Sequence, residues 1–366
     1  MKSGKLIIAG GGTGGHIFPA IAIANAVKKI NPEIEILFVG ANGKMEMEKV
    51  PQAGYKIEGL DIAGFNRSSL IKNIALPFKL VKSFMQVKTI FSDFKPDAAI
   101  GVGGYSSFPV LRYAQQKGIP TFIHESNSFA GRSNIMLGKK ATRVFVATDG
   151  MEKFFKSSTI MVTGNPVRSS ISSSTVSREE GIRFFGLDPQ FPTILSIGGS
   201  LGALTINEAV EAGLKKMTDA GIQIIWQTGI PYAEKGKQAA KGNSKVWAGE
   251  FIKEMDKAFA AADVVISRAG AMAIAELCVV GKPSVFVPYP FAAEDHQTVN
   301  AENLVSKYAG IMIRDNEAKE KLVPEIMALI RDQEKMEKLK KNILELGIKD
   351  ADEQIAKTVL DYLGKS

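Results

Sequence analysis

The chain has 366 residues, 45% hydrophobic and 23% charged, which excludes a disordered or fibrous polymer and exceeds what one ordinary core holds. A formal charge of +8, from 46 basic and 38 acidic side chains, suits an anionic partner: a phosphate substrate, a nucleic acid or an acidic lipid surface. The single cysteine, Cys278, excludes an intrachain disulfide and a multi-cysteine metal site, and its apolar surroundings read as packing.

In chain order, Lys2 and Lys5 precede the apolar run KLIIAG, which predicts a buried strand. It breaks at once into GGTGGHIFPA, so neither a signal peptide nor a spanning helix of roughly 20 apolar residues is expected. IEILFVG, DAAIGVGG, PTFIHE and RVFVAT are the remaining predicted strands of a first sheet. TILSIGG, IQIIWQTG, KVWAGEF, ADVVISRAG and PSVFVPYP predict a second. Helical stretches alternate with them, as in parallel α/β units. The serine-rich TGNPVRSSISSSTVSREE between the sets reads as a linker. The expected architecture is therefore α/β: two Rossmann-like domains facing a cleft, spanning 1–163 and 164–341. A last helix within about 342–366 is expected to return to the first domain.

Each half runs a strand into glycines, LIIAGGGTGGH and TILSIGGSLGA, and ligands of open α/β sheets bind at such strand ends. Gly10, Gly12 and Gly15 satisfy G-x-G-x-x-G, yet the second strand ends in Gly40 where a dinucleotide site needs an acid for the ribose. What survives is an anion cradle at a helix N-terminus, with Pro19 expected in the first turn. The three histidines, His16, His124 and His296, each lie near a predicted strand end. A lone histidine is commonly structural, but His16 borders the cradle, and an unperturbed pKa near 6.5 suits a general base. In SRAGAMAIAEL, Gly270 and Ala271 present first-turn N–H groups to a diphosphate, and Glu276 follows about two turns along, where it can hold both ribose hydroxyls.

Together GGGTGGHIFPA, GVGGYSSFP, HESN, TGNPVR, GGSLGA, SRAGAMAIAEL and EDHQTVNA, in that order along nearly the whole chain, resemble the MurG family of peptidoglycan N-acetylglucosaminyltransferases. One departure is Gly14, where many relatives carry alanine. The resemblance implies a GT-B fold and inverting transfer of GlcNAc from UDP-GlcNAc to the 4-hydroxyl of undecaprenyl-diphospho-MurNAc-pentapeptide, lipid I, giving lipid II. It implies donor contacts from Thr13, Gly14, Gly15, Asn127, Arg168 and Ser200 in the first part of the chain. Further along it implies Ile252, whose backbone would hold uracil, the loop Gly270, Ala271, Met272, Ala273, Ile274 and Ala275, then Glu276 and Gln297. Acceptor contacts would come from Gly103, Gly104, Tyr105 and Ser106. His16 is the expected base, with Glu125 orienting or replacing it. No tightly bound metal and no nucleic acid are expected, since the scattered His and Asp lack ligand spacing and basic and aromatic residues are not interleaved. Another UDP-sugar glycolipid transferase and a UDP-GlcNAc epimerase are the rival readings.

Such an acceptor lives in a membrane. NRSSLIKNIALPFKLVKSFMQVKTIF is apolar at more positions than one core-facing stripe needs, with Arg67, Lys72, Lys79, Lys82 and Lys88 interspersed. It reads either as a patch for anionic lipid or as a helix buried on both sides with snorkelling lysines. The first reading places the protein peripherally on the cytoplasmic face of the plasma membrane, within reach of other cell-wall synthesis proteins.

Overall fold

The structure, a computed structural model, describes residues 4–64, 76–199 and 201–365. The chain divides into two compact units, Met1–Arg168 with Asp350–Ser366, and Ser169–Lys349.

The first unit is a parallel sheet of β1 (Lys5–Ala9), β2 (Glu35–Ala41), β3 (Lys56–Leu60), β4 (Ala98–Gly101), β5 (Thr121–Glu125), β6 (Arg143–Val146) and β7 (Ile160–Val162), ordered 3-2-1-4-5-6-7. Because side chains alternate along a strand, β1 divides itself between two cores. Leu6 and Ile8 face the helices Gly14–Ile30 and Ala351–Lys365, while Ile7 and Ala9 face Leu76–Phe94 and Ser107–Gln116. Burial on both faces explains why these strands read as continuous apolar runs. Two strands escape the sequence reading. In β3, a sheet-edge strand, Lys56 and Glu58 are exposed, and β7 has only three residues.

The last helix, Ala351–Lys365, belongs to this first unit, where Ile355, Ala356, Val359 and Leu360 are buried against Ile17, Ala20 and Phe122. The preceding helix, Gln333–Glu345, lies in the second unit.

That second unit is a parallel sheet of β8 (Thr193–Ile197), β9 (Gln223–Gln227), β10 (Val246–Gly249), β11 (Val264–Ser267), β12 (Ser284–Phe286) and β13 (Ile311–Met312), ordered 10-9-8-11-12-13. The two-residue β13 is too short to leave a periodic signal. Cys278 is buried, and burial pushes its thiol up to about 12, as packing rather than nucleophilic chemistry requires. Pro19 lies in the second turn of Gly14–Ile30, not the first, so it withdraws the N–H that the Gly15 carbonyl would otherwise accept.

No helix among the described residues is long and apolar enough to cross a membrane. Leu76–Phe94 is not buried on both sides: Phe78 is 78% exposed, Val81 and Met85 are 61% exposed, and only Ser83, Val87 and Phe91 are buried. Lys82 pairs with Asp61 at 2.7 Å. Arg67 and Lys72 lie outside the described residues.

Candidate active site

Both sheets reverse their strand order at one place, between β1 and β4 and between β8 and β11, the position at which open α/β sheets bind ligands. In the first unit these are the loops Gly10–His16 and Val102–Ser106. They touch backbone to backbone, the Gly11 N–H donating to the Gly103 carbonyl at 3.3 Å. Gly104 has φ +86°, and a Cβ there would collide with the Gly11 carbonyl. A Cβ on Gly103 would lie 2.7 Å from His16 Nε2, so the second loop passes across the imidazole. Thr13, Gly14, Gly15, His16 and Gly103 to Ser106 are thus assembled at one strand-end site. Tyr105 is exposed, whereas the Ser106 hydroxyl is buried without a hydrogen-bond partner.

His16 is half-buried, with Nδ1 3.1 Å from the Gly11 carbonyl and 3.4 Å from Thr13 Oγ1. A carbonyl only accepts, so we assign the neutral ring's proton to Nδ1, leaving Nε2 with a lone pair.

Sequence reasoning misses Glu46. Its carboxylate is buried at 1% exposure, accepting the Gly12 N–H at 2.8 Å and the Ala41 N–H at 3.0 Å. A Cβ on Gly11 would collide with that carboxylate, and one on Gly40 would lie 2.5 Å from Glu46 Cγ. Gly40, the position that lacks a ribose acid, therefore makes room for an acid arriving from the next helix. That glycine is the signal that could have found it.

At the end of β5, His124 is fully buried and neutral. Burial pushes it down to about 4, repulsion from His16 when that ring is protonated adds to this, and the Gly164 backbone and Asn165 side chain oppose it. Neither ring nitrogen reaches good hydrogen-bond geometry with these groups. Glu125 is also buried, and both its oxygens are engaged: Oε1 by the Asn127 backbone N–H at 3.1 Å and its amide at 3.4 Å, Oε2 by the Gly131 N–H at 3.1 Å and the Asn134 amide at 2.8 Å. The carboxylate organises the loop that carries Asn127. Arg168 ends the first segment of this unit.

In the second unit, the loop after β8 is shaped by Gly202, where a Cβ would collide with the Thr228 carbonyl. Ser200 lies outside the described residues. Gln227, unremarked in the sequence, ties two predicted segments together. Its Nε2 donates to the Gly199 carbonyl at 3.1 Å and its Oε1 accepts the Ile252 N–H at 2.9 Å. The Ile252 N–H is thereby engaged within the unit.

After β11, Gly270 adopts extended geometry as N-cap of the helix Ala271–Val280, and a Cβ there would meet nothing. Ala271, Met272 and Ala273 form the first turn of this helix, followed by Ile274, Ala275 and the buried Glu276. Asn300 steadies the turn by donating to the Ala269 carbonyl at 3.2 Å, and Arg268 bonds the Val287 and Pro288 carbonyls and pairs with Asp315. Gln297 accepts the Tyr289 N–H at 3.0 Å, just past Glu294 and Asp295, which both hold φ near +55° and +52°. Two successive left-handed non-glycine residues store strain of the kind that clusters at ligand sites. Among the described residues no group of His, Cys, Asp and Glu is arranged to hold a metal ion.

The sequence profile of the glycosyltransferase family 28 N-terminal domain matches residues 6–146, and that of the family 28 C-terminal domain matches residues 193–355. The UDP-N-acetylglucosamine--N-acetylmuramyl-(pentapeptide) pyrophosphoryl-undecaprenol N-acetylglucosamine transferase of Phocaeicola vulgatus is 50% identical over 364 residues, covering 99% of this chain and 97% of the relative. Among solved structures, Acinetobacter baumannii MurG is similar with a TM-score of 0.80 and 26% identity, covering 98% of this chain and 99% of that one. A putative UDP-N-acetylglucosamine 2-epimerase from Listeria monocytogenes shares the fold alone, at TM-score 0.71 and 15% identity over 100% of this chain and 98% of that one.

Proposed function

The chain belongs to glycosyltransferase family 28 and has its GT-B fold, and from that premise we propose that it transfers GlcNAc from UDP-GlcNAc to the MurNAc 4-hydroxyl of lipid I, forming lipid II. The observation that carries this reading is half identity along the whole length to a transferase of that name, against 15% to an epimerase. Incubation with UDP-GlcNAc and a short-chain lipid I analogue tests it. The expected product is the β1→4-linked disaccharide lipid plus UDP. Conversion of UDP-GlcNAc to its C2 epimer without acceptor would replace this reading with the epimerase one, and transfer only to other glycolipids would replace the acceptor.

The acceptor oxygen attacks the anomeric carbon from the face opposite the diphosphate. As the new C–O bond forms, His16 Nε2 takes the hydroxyl proton. The C1–O bond to the β-phosphate breaks, its electron pair leaves with UDP, and the configuration inverts. Glu125, with four donors on its carboxylate, suits positioning Asn127 better than taking the proton. The helix start at Gly270 and Ala271 is the proposed anchor for the leaving diphosphate, whose charge fits the N–H groups and the helix dipole. Such preorganised donors contribute about 3 kcal/mol each to the transition state.

Glu276 is the proposed ribose ligand. Glu276→Ala is expected to raise KM for UDP-GlcNAc about tenfold or more, the worth of hydrogen bonds to a charged group, with a smaller effect on kcat. Steady-state kinetics with the donor varied checks this, and an unchanged KM removes the assignment.

The apolar face of Leu76–Phe94 supports peripheral binding at the cytoplasmic face of the plasma membrane, with Phe78, Val81 and Met85 entering the headgroup boundary and Lys79 and Lys88 beside anionic lipid. Wild-type protein is expected to sediment with vesicles rich in phosphatidylglycerol. Replacing Phe78 and Met85 together by serine should abolish most of that binding, and sedimentation indifferent to the substitutions and to lipid charge would rule the face out. Lipid II supply would then link this activity to cell-wall growth, cell shape and division, and to partners in wall synthesis.

A further inference from the structure

The peptide unit between Gly11 and Gly12 is held at both ends. Its N–H, on Gly12, donates to Glu46 Oε2 at 2.8 Å, and its carbonyl, on Gly11, lies 3.1 Å from His16 Nδ1. We infer that Glu46 is a positioning residue for His16 and acts through this peptide, as a carboxylate–peptide–imidazole relay. The inference rests on the reading of His16 as the base.

A carboxylate on an amide N–H polarises the whole amide and increases the negative charge on its oxygen. Hydrogen bonds in such a chain strengthen one another by roughly 10–30% each. A stronger acceptor at Gly11 holds the proton on Nδ1, fixes the ring plane and makes Nε2 a better proton acceptor. Metal-bound histidines use the same device when a second-shell acceptor raises the basicity of the ring. No proton passes along the relay, and Glu46 remains a carboxylate throughout.

A bland tie between loops explains less. The carboxylate lies beneath a loop proposed to face an anionic diphosphate, where its charge repels the substrate, and it consumes the Gly12 N–H that an anion cradle would offer. Gly11 and Gly40 are both close against Glu46, so two positions without a side chain accommodate this one group. The remaining oxygen is satisfied by the Ala41 N–H at 3.0 Å, which fixes the carboxylate plane. His124, which interacts with His16, is held neutral by burial.

The chain has only three histidines, so imidazole nitrogens can be assigned by long-range 15N–1H correlation in the full-length protein. Wild-type His16 is expected to show the Nδ1–H tautomer. In Glu46→Gln, which preserves volume, the tautomers should mix and the His16 titration midpoint should fall by about half a unit or more. kcat should fall about tenfold with both KM values near wild type, and the substitution should add little in a His16→Ala background. A folded Glu46→Gln protein with unchanged His16 tautomer and midpoint would overturn the relay, whatever its activity. If that variant does not fold, wild-type His16 decides alone: Nδ1–H supports the relay, and Nε2–H overturns it. Full turnover in His16→Ala would overturn the catalytic role by a separate route, recognisable because the His16 tautomer would still differ between wild type and Glu46→Gln.

Discussion

Replacing His16 by alanine is expected to lower kcat by about a hundredfold or more while UDP-GlcNAc still binds. The size follows from what the ring supplies. Without a base the sugar hydroxyl must attack as a neutral nucleophile, or its proton must leave to water. The loss is expected in kcat, since a base at His16 would meet the proton only as the new bond forms. A glutamine variant tests the same point with a polar side chain kept in place, and it should be nearly as slow. The checks are single-turnover rates with the lipid I analogue and donor affinity by calorimetry. Near-normal turnover in folded, donor-binding protein would remove His16 from the reaction and leave the proton to another group.

Gly104→Ala is expected to damage both stability and activity, although Gly104 need not touch the reacting atoms. Its φ of +86° costs an alanine about 1–2 kcal/mol, and the added methyl collides with the Gly11 carbonyl. Overpacking against backbone costs a further 1–3 kcal/mol or so, because backbone cannot rotate away as a flexible side chain does. The displaced atom is the one that holds His16 Nδ1, so the strain is delivered to the proposed base. Thermal unfolding should show a drop of several degrees for the first unit, and kcat should fall more than either KM. A variant with wild-type melting and turnover would mean that the two loops are free to separate.

The central strands were legible in the sequence because a parallel sheet covered on both faces needs uninterrupted apolar runs, as in LIIA and TILSI. β3 was not, because Lys56 and Glu58 are exposed at the sheet edge, and β7 and β13 are too short to show a period. Among site residues, His16 and the glycines announced themselves by rarity and by position after a strand. Glu46 did not. KMEMEKVP reads as the charged surface of a short helix, and only the third dimension turns one of its carboxylates inward. Gln227 was hidden in the same way, as the polar end of an apolar strand. Pairing across the chain, here Gln227 with Gly199 and Ile252, leaves no local trace.

The helix Ala351–Lys365 has a consequence for the order in which the protein is made. Its side chains Ile355, Ala356, Val359 and Leu360 complete the core beneath β1, yet the ribosome reaches them only after the whole of Ser169–Lys349. The domain synthesised first is therefore the one finished last. During that interval Ile17, Ala20 and Phe122 wait with an apolar face uncovered, while the second domain has every strand it needs. Chains caught at that stage should be the aggregation-prone ones, and a released chain ending at Lys349 should yield a protease-resistant second domain while the first stays sensitive.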